Sequence, residues 1–420
     1  MPDTVIHLSS VAGSPLVDSV GERLGQVQDV VARLDTGDAL PPVTAVVARI
    51  AGRELFVPIE RIEQLGPRDV RTSTTKLNLA QFERRPGEIL LRSDLLDRKL
   101  INVGTARLVT AHEVELVCEH GVWRVAGIDP SFRPRLWRLL PRRFRGHDSE
   151  HRQFVAWGEM EPFVGHVPSS RLNLASRRLA RLHPAQIADL VEAASHKEGE
   201  EILAAVGQDK ELEADVFEEM DDEHQVEFLR ERSDEDAAAL LARMASDDAA
   251  DLLLEIDQDR RLPILNLLPA AKQRKIRTVL GYNPSTAGGL MDPDFVSVSA
   301  AATAGEALAK VRATELGHQQ GSIVCVLGDA GTLMGAMSLI DLIRVEPDEE
   351  VRNVIEHTPI PTVPAEADVP EVATLMSDYN LTAMPVVDGD GKPVGVIAVD
   401  DVLELLVPEE WRRRAGVARD

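Results

Sequence analysis

The sequence predicts a multidomain chain: small all-β barrels, then an all-α superhelix of short helices, then an α/β module made of two copies of one unit. Three observations carry this. Residues 13 to about 130 alternate short β-like runs with turn residues. Apolar pairs then recur every 12 residues from Val216-Phe217 to Ile264-Leu265. Finally, Gly331 and Gly391, Gly335 and Gly395, and Asp341 and Asp401 are each 60 positions apart.

The totals fit several domains, each able to bury a core, in 420 residues and 46.0 kDa. A formal charge of −24 argues against general nucleic-acid binding and favours cations or basic partners. No apolar run approaches the roughly 20 residues of a membrane helix. The start, Met1-Pro2-Asp3-Thr4, has no secretory pattern, so a cytoplasmic setting is expected. Cys118 and Cys325 are far apart, in β-like runs, and read as reduced thiols.

In the first third, Gly21-Glu22-Arg23-Leu24-Gly25 places a turn before an alternating run ending at Val31. Val43–Ile50, Leu55–Ile59, Ala106–Thr110, Glu113–Cys118 and Val122–Ile128 repeat the style. The pattern Gly-x-x-x-Gly-x-Val-x-Asp-Val-Val, followed by Phe56-Val57-Pro58-Ile59, resembles a PRC-barrel domain over residues 10–131. A second copy is expected to begin near Ile89, through Asp94-Leu95-Leu96-Asp97-Arg98-Lys99-Leu100-Ile101. The resemblance implies a docking surface for an unknown protein partner and no chemistry. His7, His112 and His120 read as surface or structural side chains.

Residues 132–171 form a connector whose first part, 132–152, interleaves seven arginines with Leu136, Trp137, Leu139, Leu140 and Phe144. Such a segment suits peripheral contact with an anionic membrane or RNA, but the reading preferred on the sequence is a linker whose arginines dock on the acidic domain that follows. Pro134 and Pro141 break any continuous amphipathic face.

Between Asp189 and Arg260 there are 25 acidic residues against six basic ones, a net −19. Asp/Ser-rich turns such as Arg232-Ser233-Asp234-Glu235 separate the apolar pairs, and these residues suit N-caps and first turns. Helices about two turns long are unstable alone, so they must stack. Self-repulsion on this scale calls for screening by hard cations with carboxylate and water ligands, unless the acids are an ordinary solvated surface.

The helical block meets the α/β block at Gly281-Tyr282-Asn283-Pro284-Ser285-Thr286-Ala287-Gly288-Gly289-Leu290-Met291, read as a hinge. Tyr-x-x-x-Thr-Ala-Gly-Gly-x-Met between such blocks resembles the MgtE magnesium transporter family, where the cytosolic N domain joins the paired CBS domains. The 12-residue repeat and Leu182-His183-Pro184-Ala185-Gln186-Ile187 resemble that N domain, placed at 172–281. The 60-residue duplication resembles a tandem CBS pair, placed at 282–407, with a tail at 408–420. The resemblance covers the sensing half of the family and none of its permeation path.

It implies a non-catalytic Mg²⁺-responsive regulator, a homodimer formed through the CBS module, and adenine nucleotide (ATP or AMP) as a second ligand. Gly335-Ala336-Met337-Ser338-Leu339-Ile340-Asp341 matches the family's nucleotide signature. Gly395-Val396-Ile397-Ala398-Val399-Asp400-Asp401 carries alanine where the hydroxyl belongs. Ser338, Asp341 and Asp401 are thus the candidate nucleotide residues, although Ser338 and Asp341 also suit a helix cap. Asp247, Asp248, Asp251, Asp400, Asp401 and Glu404 are the candidate Mg²⁺ carboxylates. No paired acid–base groups or nucleophile motif suggest an enzyme.

Overall fold

The computed structural model describes residues 4–34, 40–73, 84–85, 87–131, 154–162, 179–314, 316, 320–357 and 360–407. The chain forms two compact units, Met1–Val216 and Phe217–Asp420.

The first unit opens with β1 (Thr4–His7), α1 (Leu8–Val11), β2 (Pro15–Val17), β3 (Arg23–Arg33), β4 (Val43–Ile50), β5 (Arg53–Pro58), β6 (Ile62–Leu65) and β7 (Val70–Thr72). There follow β8 (Glu88–Leu90), β9 (Lys99–Asn102), β10 (Arg107–Thr110), β11 (Glu113–Glu119), β12 (Val122–Asp129), β13 (Val155–Ala156) and β14 (Met160–Pro162). One sheet runs β5-β4-β3-β2-β7-β6 with β8 added to β3; the others are β1-β11-β12-β13 and β10-β9-β14. Among the described residues none of these sheets closes, so the expected barrels are open sheets. The long strand β3 uses β4 on one side and β2, then β8, on the other, which leaves β5 and β6 as separate ends. The β region also takes in β1 and β13–β14, beyond the expected 10–131. Part of the expected connector is therefore strand; the basic stretch 132–152 and the tail 408–420 lie outside the described residues.

The stretch β2–β3 of the first half matches β9–β11 of the second at an offset of 84 positions. Leu16 matches Leu100, Leu24 matches Leu108, Asp29 matches Glu113 and Val30 matches Val114. Each half opens with a short strand that pairs with the central strand of the other half: Ile6 lies opposite Leu116 in β11, and Ile89 lies opposite Ala32 in β3. The buried acids close the exchange. Asp29 accepts from the backbone N–H groups of Arg92 and Ser93 (2.7 and 3.0 Å) and from Ser93 Oγ (2.7 Å). Glu113 accepts from Ser9 N (2.9 Å) and Ser9 Oγ. The second half carries one extra residue before its first long strand. It is absorbed as a π turn over Leu91–Leu95 where the first half has the α turn α1. Residues of both halves share one core, from Leu8, Leu16 and Val30 to Leu91, Val114 and Ile128. The unit continues with α2 (Pro184–Ala193) and α3 (His196–Val206), and α4 (Lys210–Glu218) crosses into the second unit.

The second unit continues with α5 (Asp222–Arg230), α6 (Asp234–Leu241), α7 (Ser246–Glu255), α8 (Gln258–Leu267) and α9 (Ala270–Val279). Asp221 and Ser233 cap their helices as the turns predict, accepting from His224 N (3.0 Å) and Asp236 N (3.1 Å). The recurring pairs are buried, and each helix packs on the next but one: α5 on α7, α6 on α8, α7 on α9. Arg232, in the turn before α6, lies over the Phe217 ring at 4.7 Å.

Two α/β repeats follow. The first comprises β15 (Val296–Ser299), α10 (Ala304–Arg312), β16 (Ile323–Leu327), β17 (Leu333–Ser338), α11 (Leu339–Arg344) and α12 (Val351–His357). The second comprises β18 (Val363–Pro364), α13 (Val369–Tyr379), β19 (Ala383–Val387), β20 (Pro393–Ala398) and α14 (Val399–Leu406). Their registers match at the 60-residue offset: Ile323 pairs with Ser338, and Ala383 with Ala398. Ile323, Ala336, Ala383 and Val396 form a common cluster between them.

The segment read as a hinge is fixed to the second repeat. Ala287 and Gly288 donate to Ala367 O and Ala365 O (2.9 and 2.8 Å), and Asp292 exchanges two backbone bonds of 2.9 Å with Val396. Ala287, Leu290 and Met291 lie in that repeat's core. A Cβ on Gly289 would stand 2.4 Å from Asn283 O, and one on Gly395 would stand 2.7 Å from Asp292 O. The glycines let two backbones touch, and the segment acts as a weld.

Candidate functional site

The acids that the sequence singles out come together where α7 and α14 begin. Ser246 and Asp247 lie buried in the first turn of α7, with Asp248 half-buried and Asp251 exposed one turn on. In α14, Asp401 is half-buried, and Asp400 and Glu404 are exposed. Both first turns are rich in acids, which suits the positive end of a helix dipole but crowds like charges.

The electrostatics show how closely these groups feel one another. Burial first, then Asp292, pushes the Asp247 carboxyl up from 3.8 to about 7, with Asp251 adding to the effect. Asp248 is raised well above the ordinary value by burial, then by Asp247, Glu218, Asp401 and Glu404. Asp401 is raised by burial, then by Asp247 and Asp400, against a lowering hydrogen bond from Ala398 N. Asp251 rises to about 6 through burial, Asp222, Glu255 and Glu404. Asp292, itself buried, is raised by burial against the Asp294 N–H that it accepts from. Asp247 Oδ1 is buried without a hydrogen-bond partner, a costly state for a carboxylate oxygen.

Among the described residues, no three of these carboxylates bring ligand oxygens within 4.8 Å of one another. Of the six expected metal residues, Asp247, Asp248, Asp251, Asp401 and Glu404 share one electrostatic group. Asp400 joins it only through its effect on Asp401.

Three members were not foreseen. Glu218, at the end of α4, accepts from Ala245 N (2.5 Å) just before α7. Asp292 follows the weld. Lys272, in the first turn of α9, reaches back to the start of α7. Only tertiary packing brings these side chains to the acids, and no spacing in the sequence marks them.

The expected nucleotide residues separate. Ser338 Oγ donates to Asp341 Oδ2 (2.7 Å) and accepts from Asp341 N (3.1 Å), so the pair caps α11. Beside it, Asp341, Arg344, Val345, Glu349, Asn353, Val354 and His357 line a cleft of about 250 Å³. Asp401, the third expected nucleotide residue, belongs to the acid group instead. Cys325 is buried and its thiol is pushed up to about 12 by burial, the environment of a structural cysteine; Cys118 is half-buried. Among the described residues, no helix is long and apolar enough to cross a membrane.

Residues 182–285 match the family described as the MgtE intracellular N domain, and residues 287–348 and 351–408 match the CBS domain. The chain is 35% identical over 144 residues to the magnesium transporter MgtE of Thermus thermophilus, covering 34% of this chain and 32% of that protein. It is 27% identical over 159 residues to the magnesium transporter MgtE of Bacillus subtilis, covering 37% and 35%. The chain spans about a third of the length of these curated relatives. Among solved structures, the cytosolic domain of the Mg²⁺ channel MgtE in complex with ATP superposes with a TM-score of 0.50 at 28% identity. That match covers 55% of this chain and 93% of the other. The chain therefore carries an MgtE intracellular N domain followed by a CBS pair, and is homologous to the MgtE cytosolic domain.

Proposed function

We propose that this chain is a non-catalytic regulatory or adaptor protein that responds to Mg²⁺ in magnesium homeostasis, with Asp247, Asp248, Asp251, Asp401 and Glu404 as the responsive carboxylates. The observation that carries the reading is the buried, unpartnered Asp247 Oδ1 inside a group of acids that raise one another's pKa. Such a group is unstable when ionised, and a bound hydrated divalent cation removes the repulsion. The mechanism is a population shift: Mg²⁺ favours a compact arrangement of α7 against α14, and its loss favours an open one. Asp400 supplies additional negative potential. The chain acts in the cytoplasm as a homodimer through its CBS pair, and its β region docks a protein partner. Residues 132–152 offer a peripheral membrane contact.

The test is the scattering radius and thermal midpoint in Mg²⁺ against monovalent salt of matched ionic strength. A smaller radius and higher midpoint in Mg²⁺ are expected; equal values would sink the reading.

A second ligand is favoured by the cleft beside Asp341, where Arg344 and His357 offer donors to phosphate and Asp341 offers an acceptor to a ribose hydroxyl. Calorimetric titration with ATP and AMP, using Asp341→Ala as control, decides whether adenine nucleotide binds there. Heat unchanged by the substitution would remove Asp341 from the site.

A further inference from the structure

We propose that Lys272 is a built-in counter-ion of the acid group, and that its charge sets the divalent-cation concentration to which the group responds. The threshold role rests on the Mg²⁺ reading above; the counter-ion role does not.

A lysine is a poor choice for this position on local grounds. It sits in the first turn of α9, where the helix dipole disfavours a cation, and that turn holds no acidic residue. It is also half-buried. What holds it is the start of α7. Lys272 Nζ donates to Met244 O and to Ser246 Oγ (3.2 Å), immediately before Asp247. Asp292, Asp247 and Asp294 act on it from the acidic side, and Lys275 opposes it. Lys275 is itself engaged by Asp294, whereas the Lys272 ammonium is bound at the start of α7. Burial pulls the Lys272 pKa below its ordinary value, and Asp292 and Asp247 counter that pull.

The tethered ammonium is thus held at Ser246, the neighbour of Asp247, and acts on Asp292 and Asp247 beside the place where a hydrated divalent ion is proposed. One positive charge already supplied by the chain reduces what a second cation gains by binding. Removing it should lower the Mg²⁺ concentration at half-response by roughly three- to tenfold, the effect of one unit charge acting on a divalent ion across a partly solvated gap.

The experiment uses the full chain with Lys272→Met and Lys272→Arg. In chelator, at alkaline pH where the acids are ionised, Lys272→Met is expected to melt below the parent at low NaCl. That gap should close as NaCl rises, and Lys272→Arg should keep the parent's midpoint. A gap indifferent to salt, or an arginine variant as weak as the methionine one, would show a plain structural peg on Met244 and overturn the proposal. In the Mg²⁺ titration, Lys272→Met should reach its midpoint at lower Mg²⁺; an unchanged or higher midpoint overturns the threshold role. If the parent itself shows no Mg²⁺ effect beyond ionic strength, the Mg²⁺ reading and the threshold role fall together. The salt arm still decides the counter-ion role.

Discussion

Replacing Asp247 by asparagine should stabilise the metal-free protein and remove most of its response to Mg²⁺. Burial and the neighbouring carboxylates push Asp247 from 3.8 up to about 7, and each tenfold change in an ionisation constant corresponds to ~1.4 kcal/mol. Ionised Asp247 therefore costs the folded state at most ~4 kcal/mol above neutral pH. Since Asp248 and Asp401 titrate with it, its own share is nearer ~2 kcal/mol. The amide keeps the shape, loses the charge, and offers an N–H₂ donor to the acids around it. For a unit of this size a gain of ~2 kcal/mol raises the thermal midpoint by roughly 4–8 °C. The parent, by contrast, should gain about 2.7 kcal/mol at a Mg²⁺ concentration a hundred times its dissociation constant. The assay is a pair of melts for each protein, in chelator and in saturating Mg²⁺, at alkaline pH and fixed ionic strength. The reasoning fails if the asparagine variant is no more stable than the parent in chelator, or keeps the parent's full Mg²⁺ shift.

Four further outcomes rest on the same structure. The folded pKa values of Asp247 and Asp251 lie above 3.8, so the folded state holds protons that the unfolded state has released. Metal-free stability should fall as pH rises from about 4 through about 6 for Asp251 and about 7 for Asp247; denaturant melts across that range check it, and Mg²⁺ should flatten the slope. Asp29→Ala removes the acceptor of four hydrogen bonds, from Val30, Arg92 and twice from Ser93. Leaving several buried donors unpaired should cost roughly 3–5 kcal/mol in a chemical melt, and a loss near zero would contradict the strand exchange. Gly289→Ala should cost at least ~2 kcal/mol because its Cβ would meet Asn283 O at 2.4 Å. Gly331→Ala, in open space at φ +75, should lose only ~1 kcal/mol.

The helical and α/β parts were legible because their periods of 12 and 60 residues survive in apolar pairs, glycines and aspartates with fixed steric or capping duties. The gathering of Asp247, Asp248, Asp251, Asp401 and Glu404 was legible only through family resemblance. Lys272 and Asp292 were not, because a single lysine or aspartate carries no sign of what it packs against. The 84-residue offset of the β region is visible in Leu16/Leu100 and Val30/Val114 once sought. Its strand exchange is not, since either opening strand has a suitable apolar pattern for its own half. The weld at Ala287–Met291 looks like a hinge in sequence because Pro284 and paired glycines also mark loose turns. Here the glycines permit close approach to Asn283, Tyr282 and the second repeat.

The exchanged strands of the β region bear on how the chain is made. β1 emerges from the ribosome well before its partner β11, which lies about a hundred residues downstream; Ser9 and Glu113 are 104 positions apart. The first half lacks the strand β8 that finishes its sheet until the second half has begun. Neither half is a folding unit of its own, and a high share of distant pairings slows folding. A chain cut between β7 and β8 would yield two incomplete fragments, each holding the strand that the other lacks, and mixing them is the way to restore both.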